Sequence, residues 1–275
     1  MASHSNEERA RRAASFNEEA ERYDRARPNY PTILFDQLWL MAGLGPEPNV
    51  VEVGCGTGQA SRSLAERAAR LTCVEFGENM AAIARRNLAS FPSTEIVVSK
   101  FEEWDSKGKE YDLVFASASW HWIQPEIRYH KAASVLKPGG NVAVMASEHF
   151  YPEDFDPLFI KIQEIYGAVT GSQREVKVQT LPEPGTFDEK DDEQIAEMAL
   201  TGAFKTPEVA RLLWHIDRTA DQYIDLLATY SDHWALEPDF RQQLFEGIHE
   251  VIASGRTGSI RKHYLTTLRV AQCYR

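Results

Sequence analysis

Polar side chains dominate residues 1–27, and the apolar residues among them, Phe16, Ala20 and Tyr23, recur at helical spacing. Arg27-Pro28-Asn29-Tyr30-Pro31 then ends that helix, because proline lacks an amide donor and restricts the residue before it. A second helix is expected over Thr32–Met41, closed by Gly43, Gly45, Pro46 and Pro48. From residue 49 the period changes. Short apolar runs at Asn49–Val53, Leu71–Glu75, Glu95–Val98, Tyr111–Ala116 and Asn141–Ala146 read as strands. Helical patterns at Gln59–Ala69, Asn79–Ala89 and Glu126–Leu136 separate them. Alternating strands and helices predict a mainly parallel sheet covered on both faces, with right-handed crossovers.

Beyond His149 the alternation fails. Residues 150–206 hold two expected helices, Asp156–Gly167 and Glu189–Leu200, around a segment rich in proline, glycine and charge, which reads as an insertion over one end of the sheet. A strand at Glu208–Ile216, helices at Ala220–Tyr230 and Asp239–Ala253, and a long final strand at Ser259–Cys273 complete the chain.

At 275 residues the chain is long enough for a full core without metal or disulfide staples. Its formal charge of −11 disfavours a general grip on nucleic-acid phosphates. No apolar run is long enough to span a bilayer, and the first residues lack the apolar stretch of a signal peptide. Three cysteines without metal spacing, Cys55, Cys73 and Cys273, fit a reducing, cytoplasmic setting. The eight histidines show no metal-binding spacing, so no metal is expected. The acidic run from Asp188 to Glu193 reads as a solvated helix start.

The chemistry concentrates at Val50-Val51-Glu52-Val53-Gly54-Cys55-Gly56-Thr57-Gly58-Gln59. A turn at the carboxyl end of a first parallel strand brings backbone close to a ligand, and Gly54, Gly56 and Gly58 leave room for it. The next helix, expected from Gln59, would aim its amides at the same point. A GxGxxG fingerprint starting at Gly54 needs glycine at 59, which is glutamine, and the acid Glu52 lies inside the strand. Glu75 ends the second strand 21 residues after Gly54, where a carboxylate accepts both hydroxyls of a ribose. Ribose recognition suits a nicotinamide dinucleotide as well as S-adenosylmethionine; the glycine phasing favours the latter. A nicotinamide-dependent oxidoreductase and a non-catalytic or protein-directed cofactor-binding scaffold stay open as alternatives.

On these residues the chain resembles the class I S-adenosylmethionine-dependent methyltransferases that act on small molecules. Val51–Gly58 matches that family's first motif and Glu75 its ribose-binding acid. Phe101-Glu102-Glu103-Trp104 occupies the adenine border, Tyr111–Trp122 the fourth-strand motif, and Leu136-Lys137-Pro138-Gly139-Gly140 the turn before the fifth strand. Phe16, Ala20, Tyr23 and Arg27–Pro31 look like the N-terminal lid of trans-aconitate-methyltransferase-like members, and Tyr230-Ser231-Asp232-His233 is also similar to members of the family. Ser99-Lys100 departs from it, standing where many members carry an aspartate beside the adenine, so that contact falls to Glu102 or to backbone.

The resemblance implies a doubly wound, Rossmann-like α/β fold with seven strands in the order 3-2-1-4-5-7-6, the last antiparallel. It divides the chain into a lid (1–45), a cofactor-binding core (46–149), an insertion shaping the substrate site (150–206) and the rest of the sheet (207–275). S-adenosyl-L-methionine is the implied cofactor and a small molecule the implied partner, methylated on oxygen, nitrogen or carbon. The implied cofactor-binding residues are Tyr23, Glu52, Gly54, Cys55, Gly56, Gly58, Glu75, Phe76, Met80, Phe101, Glu102, Ser117 and Ala118. His121 is the candidate catalytic base, or else a cofactor contact or a packing residue, and Arg27, Trp120 and Trp122 are candidate substrate contacts. Arg27, Arg174 and Arg218 are candidates for recognising a carboxylate, while Phe150, Tyr151, Phe155, Phe159, Tyr166 and Trp214 offer an aromatic surface.

Overall fold

A computed structural model describes residues 19–183 and 185–274; Phe16 lies outside them. Seven strands, β1 (Asn49–Val53), β2 (Arg70–Glu75), β3 (Thr94–Val98), β4 (Tyr111–Ser117), β5 (Leu136–Phe150), β6 (Glu208–Thr219) and β7 (Ser259–Gln272), form one sheet in the order β3-β2-β1-β4-β5-β7-β6. The first five pair in parallel, and β7 runs antiparallel to both neighbours. This is the doubly wound, Rossmann-like methyltransferase topology expected above.

Ten described helices surround the sheet: α1 (Ala20–Ala26), α2 (Thr32–Met41), α3 (Ser61–Ala65), α4 (Glu78–Asn87), α5 (Pro125–Val135), α6 (Leu158–Thr170), α7 (Glu189–Thr201), α8 (Ala220–Leu227), α9 (Ser231–Trp234) and α10 (Pro238–Ala253). Alternation along β1 sends Val51 and Val53 into one buried cluster, with Val114, Tyr129 and Val142, and Val50 into another, with Phe35, Leu38, Leu64 and Phe115. A third cluster joins α6, α8 and α10 through Phe159, Tyr223 and Ile248, and meets the sheet at Ile260. No described helix is long and apolar enough to cross a membrane.

Four expectations need correction. The helix after the glycine turn covers Ser61–Ala65, not Gln59–Ala69: Ser61 is anchored by its hydroxyl to Glu52 at 2.5 Å, and the chain turns after Glu66 to start β2. The helix from Ala220 stops at Leu227, because the Thr229 hydroxyl donates to the Leu226 carbonyl and Arg27 takes the Thr229 carbonyl. β5 extends to Phe150, and its second half carries polar residues that pair with β7 alone. The acidic run is not wholly solvated. Asp188 caps α7, while Asp191 is fully buried between Arg211 of β6 and Arg269 of β7.

Candidate active site

Beyond the carboxyl ends of β1 and β4 opens a cavity of about 850 Å³. One end is lined by the glycine turn, with Glu52, Gly54, Cys55 and Gly56, together with Ser117 and Ala118 at the end of β4 and Tyr23 and Arg27. The other end is walled by the extended half of β5, by β6 and β7, and by α6, through Ser147, His149, Tyr166, Trp214, Lys262 and Tyr264. The cavity thus follows the strand ends, where α/β sheets hold their ligands.

The turn is shaped by backbone. Gly54 and Gly56 have φ of +69° and +59°. A side chain on Gly54 would meet Ser119, and one on Gly56 would stand 3.7 Å from the Tyr23 ring. Ala118 also has a positive φ, +54°, a strained conformation for alanine at the cavity edge. Glu75 lies beneath the turn, accepting from the Gly56 and Gly77 amides at 2.8 Å each. Burial pushes its carboxyl above the usual carboxylate range, against those amide bonds. Backbone amides thus fix both oxygens against the glycine turn, and Glu75 itself does not line the cavity.

Glu52 is buried, accepts from Ser61 and lies 3.7 Å from the Cys73 sulfur. Burial pushes it up to about 7. A carboxyl raised in the folded state stabilises below its unfolded value near 4.5 and loses that contribution as pH rises through about 7. Wild-type stability is therefore expected to fall relative to Glu52→Gln between those pH values, by about 3 kcal/mol at most. Urea unfolding of both proteins across that range checks it; parallel curves would refute an ionising Glu52. The comparison with the variant is needed because buried His149, held down to about 2 by burial and by Lys262, drives stability the opposite way.

The other expected site residues scatter more widely. Gly58 has φ +101° and backs onto Leu88. Phe76 is 44% exposed, a large apolar ring left beside Glu75. Met80 is buried against Ala20, Ile83 and Tyr23, and so helps to seat α1. Phe101 is buried against Trp104 and Trp120. Glu102 accepts from the Gln124 amide at the start of α5. Trp120 belongs to the core, between Phe101 and Tyr129. Exposed His121 leans on Trp122 with ring centres 4.4 Å apart and planes tilted by 46°, and neither lines the cavity. Of the three arginines, Arg27 and Arg174 line it and Arg218 does not. Tyr151, Phe159, Tyr166 and Trp214 line it; Phe150 and Phe155 do not.

Lys262, Tyr230, His149 and Tyr30 also line the cavity, unanticipated as site residues. A signal existed in the last strand, where Lys262, Tyr264 and Thr266 recur at period two and turn one face of a central strand polar.

Comparison with known proteins agrees with this geometry. Residues 50–140, from β1 through the turn before the middle of β5, match the family described as "Methyltransferase domain". An uncharacterized methyltransferase of Mycobacterium tuberculosis is 30% identical over 131 residues, 48% of this chain and 51% of that protein. Trans-aconitate 2-methyltransferase of Rhodopseudomonas palustris is 28% identical over 165 residues, 56% of this chain and 58% of that protein. The chain spans about half the length of the curated relatives it matches. A solved putative type II methyltransferase from Anaeromyxobacter dehalogenans superposes with a TM-score of 0.63 at 20% identity, covering 90% of this chain and 97% of that one, and so shares the fold. Residues 50–140, which carry the bare-backbone turn and the carboxylate beneath it, thus match a methyltransferase-domain family, and the described chain shares the fold of a solved putative methyltransferase.

Proposed function

We propose that the protein transfers a methyl group from S-adenosylmethionine to a small molecule held in the cavity. One observation carries this reading: a single cavity runs from the glycine turn to an aromatic chamber built largely from outside the matched domain. Its volume lies within the ~300–1,000 Å³ of small-molecule sites. The tyrosines, Phe159 and Trp214 lining it suit an acceptor with a flat or apolar body. Tyr151, Phe159 and Tyr166 come from residues 150–206, which supports the insertion as the part that shapes the substrate site. A trans-aconitate-like acceptor is one member of this class.

In this reading Gly54–Gly58 and Tyr23 seat the methionine end of the cofactor. Glu75 holds the ribose, while Phe76 and Glu102 border the adenine. When bound, S-adenosylmethionine supplies an electrophilic methyl group on a sulfonium sulfur. The chain itself must align the acceptor and exclude water. Trp214 stacks on Tyr264 at 4.7 Å and meets Tyr30 edge-on at 6.3 Å, a rigid wall suited to both tasks.

Calorimetric titration with S-adenosylhomocysteine, with NADH as comparison, tests the reading. Tight binding of the former alone is expected. Glu75→Ala removes a charged acceptor from the two amides that shape the turn and from the ribose. At about 1.5–3 kcal/mol for a hydrogen bond to a charged group, binding should weaken by roughly a hundredfold. Binding of NADH but not S-adenosylhomocysteine would overturn the proposal.

A further inference from the structure

Tyr230 stands between two cations. Its hydroxyl oxygen accepts from the Lys262 ammonium at 3.1 Å, and the Arg27 guanidinium lies 4.6 Å from its ring centre. Lys262 is 5% exposed, and no carboxylate pairs with it or with Arg27 among the described residues. Arg27 donates to the Thr229 hydroxyl and carbonyl, and Lys262 covers three tyrosine rings, Tyr223, Tyr230 and Tyr264. A buried ammonium without an anion beside it is expensive, and although Glu52, Glu148, Glu175 and Asp232 also line the cavity, the hydrogen bond Lys262 makes is to Tyr230. The acidic group that touches both cations is the Tyr230 phenol.

The other charged or titratable groups around Tyr230 do not supply that anion. Arg218 of β6 adds a further positive charge. Tyr264 of β7, Tyr223 of α8 and Tyr166 of α6 are phenols that burial pushes up. His233 of α9 lies 5.7 Å away ring to ring and bonds Tyr166 at 2.6 Å. Its neighbour Asp232 is 72% exposed and engaged with His233. Burial alone would raise Tyr230; Lys262 and Arg27 outweigh it and bring the phenol below its ordinary value of 10.0.

We propose that Tyr230, clamped by Lys262 and Arg27 in the cavity wall, is the proton acceptor for the methyl acceptor's nucleophile, which is therefore a hydroxyl or an N–H group. This rests on the methyltransferase reading above. The acceptor's O–H or N–H bond breaks and its proton passes to the Tyr230 oxygen. The electron pair left on the acceptor forms the new bond to the methyl carbon as the sulfonium S–C bond breaks, leaving a neutral thioether. Tyr230 then returns the proton to solvent, so one proton is released per methyl transferred. The Tyr-Ser-Asp-His run at 230–233 thereby gains a role in the chemistry.

Ultraviolet difference absorbance of tyrosinate during a pH titration tests this without turnover. The wild type is expected to show one tyrosine ionising below about 10, the ordinary value. Tyr230→Phe should lose that step, and Lys262→Met should shift it upward. With an acceptor obtained from a methyl-acceptor screen, kcat should rise with the same ionisation. Tyr230→Phe should then lower kcat by roughly 10²–10⁴-fold with S-adenosylhomocysteine affinity unchanged. Should Tyr230→Phe not fold, Lys262→Met carries both readouts. Intact S-adenosylhomocysteine binding with titrations that do not differ between wild type and variants overturns this inference alone, and leaves Lys262 as a cation awaiting an anionic ligand. Absence of S-adenosylhomocysteine binding overturns the methyltransferase reading, and this inference with it.

Discussion

Replacing Asp191 by alanine is expected to lower the free energy of unfolding by about 3–5 kcal/mol, the range for removing one partner of a buried ion pair. Asp191 is fully buried on α7, and its two oxygens accept from Arg269 of β7 and Arg211 of β6. Arg269 is 3% exposed, so truncating the carboxylate strands its guanidinium in the core. Asp191 Oδ2 also accepts from the Asp188 amide in the capping box of α7, so that half of the box is lost in the same substitution, while the Asp188 carboxylate still caps the backbone amide of residue 191. Urea unfolding measures the change, with an unchanged slope as the sign that stability alone has moved. Arg211→Met and Arg269→Met combined with Asp191→Leu should recover much of the loss, since apolar replacement of a whole buried charge cluster is often neutral. A loss below about 1 kcal/mol would mean that Asp188, 3.6 Å from Arg211, takes over the pairing. Because Asp191 lies outside the cavity, the folded variant should bind S-adenosylhomocysteine as the wild type does.

This aspartate marks where the sequence became hard to read. Five acids within the six residues 188–193 look like a solvated helix start, and their partners, Arg211 and Arg269, lie about 20 and 78 residues away. Nothing local distinguishes Asp191 from Asp192. The glycine turn was legible for the opposite reason. A bare backbone between an apolar strand and a helix has few purposes, and the pairing of Val53 with Val74 puts the acid ending the next strand level with the turn. The second half of β5 escaped notice because Ser147, Glu148 and His149 break the apolar run, although their polarity is what a cavity wall needs. Trp120-His121-Trp122 shows how little adjacency says about orientation: the short 3-10 turn they form sends Trp120 into the core and leaves His121 exposed. Lys262 and Tyr230 required tertiary structure, since only the β5–β7 pairing and the end of α8 bring them to one cavity.

Gly54→Ala should disable both the fold and the site. At φ +69° an alanine carries a left-handed penalty of roughly 1–2 kcal/mol. Its Cβ would also stand 2.5 Å from the Ser119 Cβ and 3.0 Å from the Ser119 Oγ. Ser119 cannot simply swing away, because its hydroxyl donates to the Val53 carbonyl at 2.5 Å and the next residue, Trp120, is locked in the core. Overpacking of this kind costs about 1–3 kcal/mol, for a total of about 2–5 kcal/mol. Gly43→Ala separates the two contributions: its φ is +56°, but nothing lies within 4 Å of the added carbon. That variant should lose only the conformational part, about 1–2 kcal/mol, and keep S-adenosylhomocysteine binding. Gly54→Ala should lose binding as well, because relieving the clash moves the turn that faces the cavity. Adding Ser119→Gly to Gly54→Ala removes the obstructing carbon and should restore the packing part of the stability. Binding should return with it only if the turn's position, rather than the absence of a side chain at residue 54, is what the cofactor reads. If Gly54→Ala proves no less stable than Gly43→Ala, the Ser119 contact yields without cost, and the turn is held from the other side, by the Glu75 carboxylate.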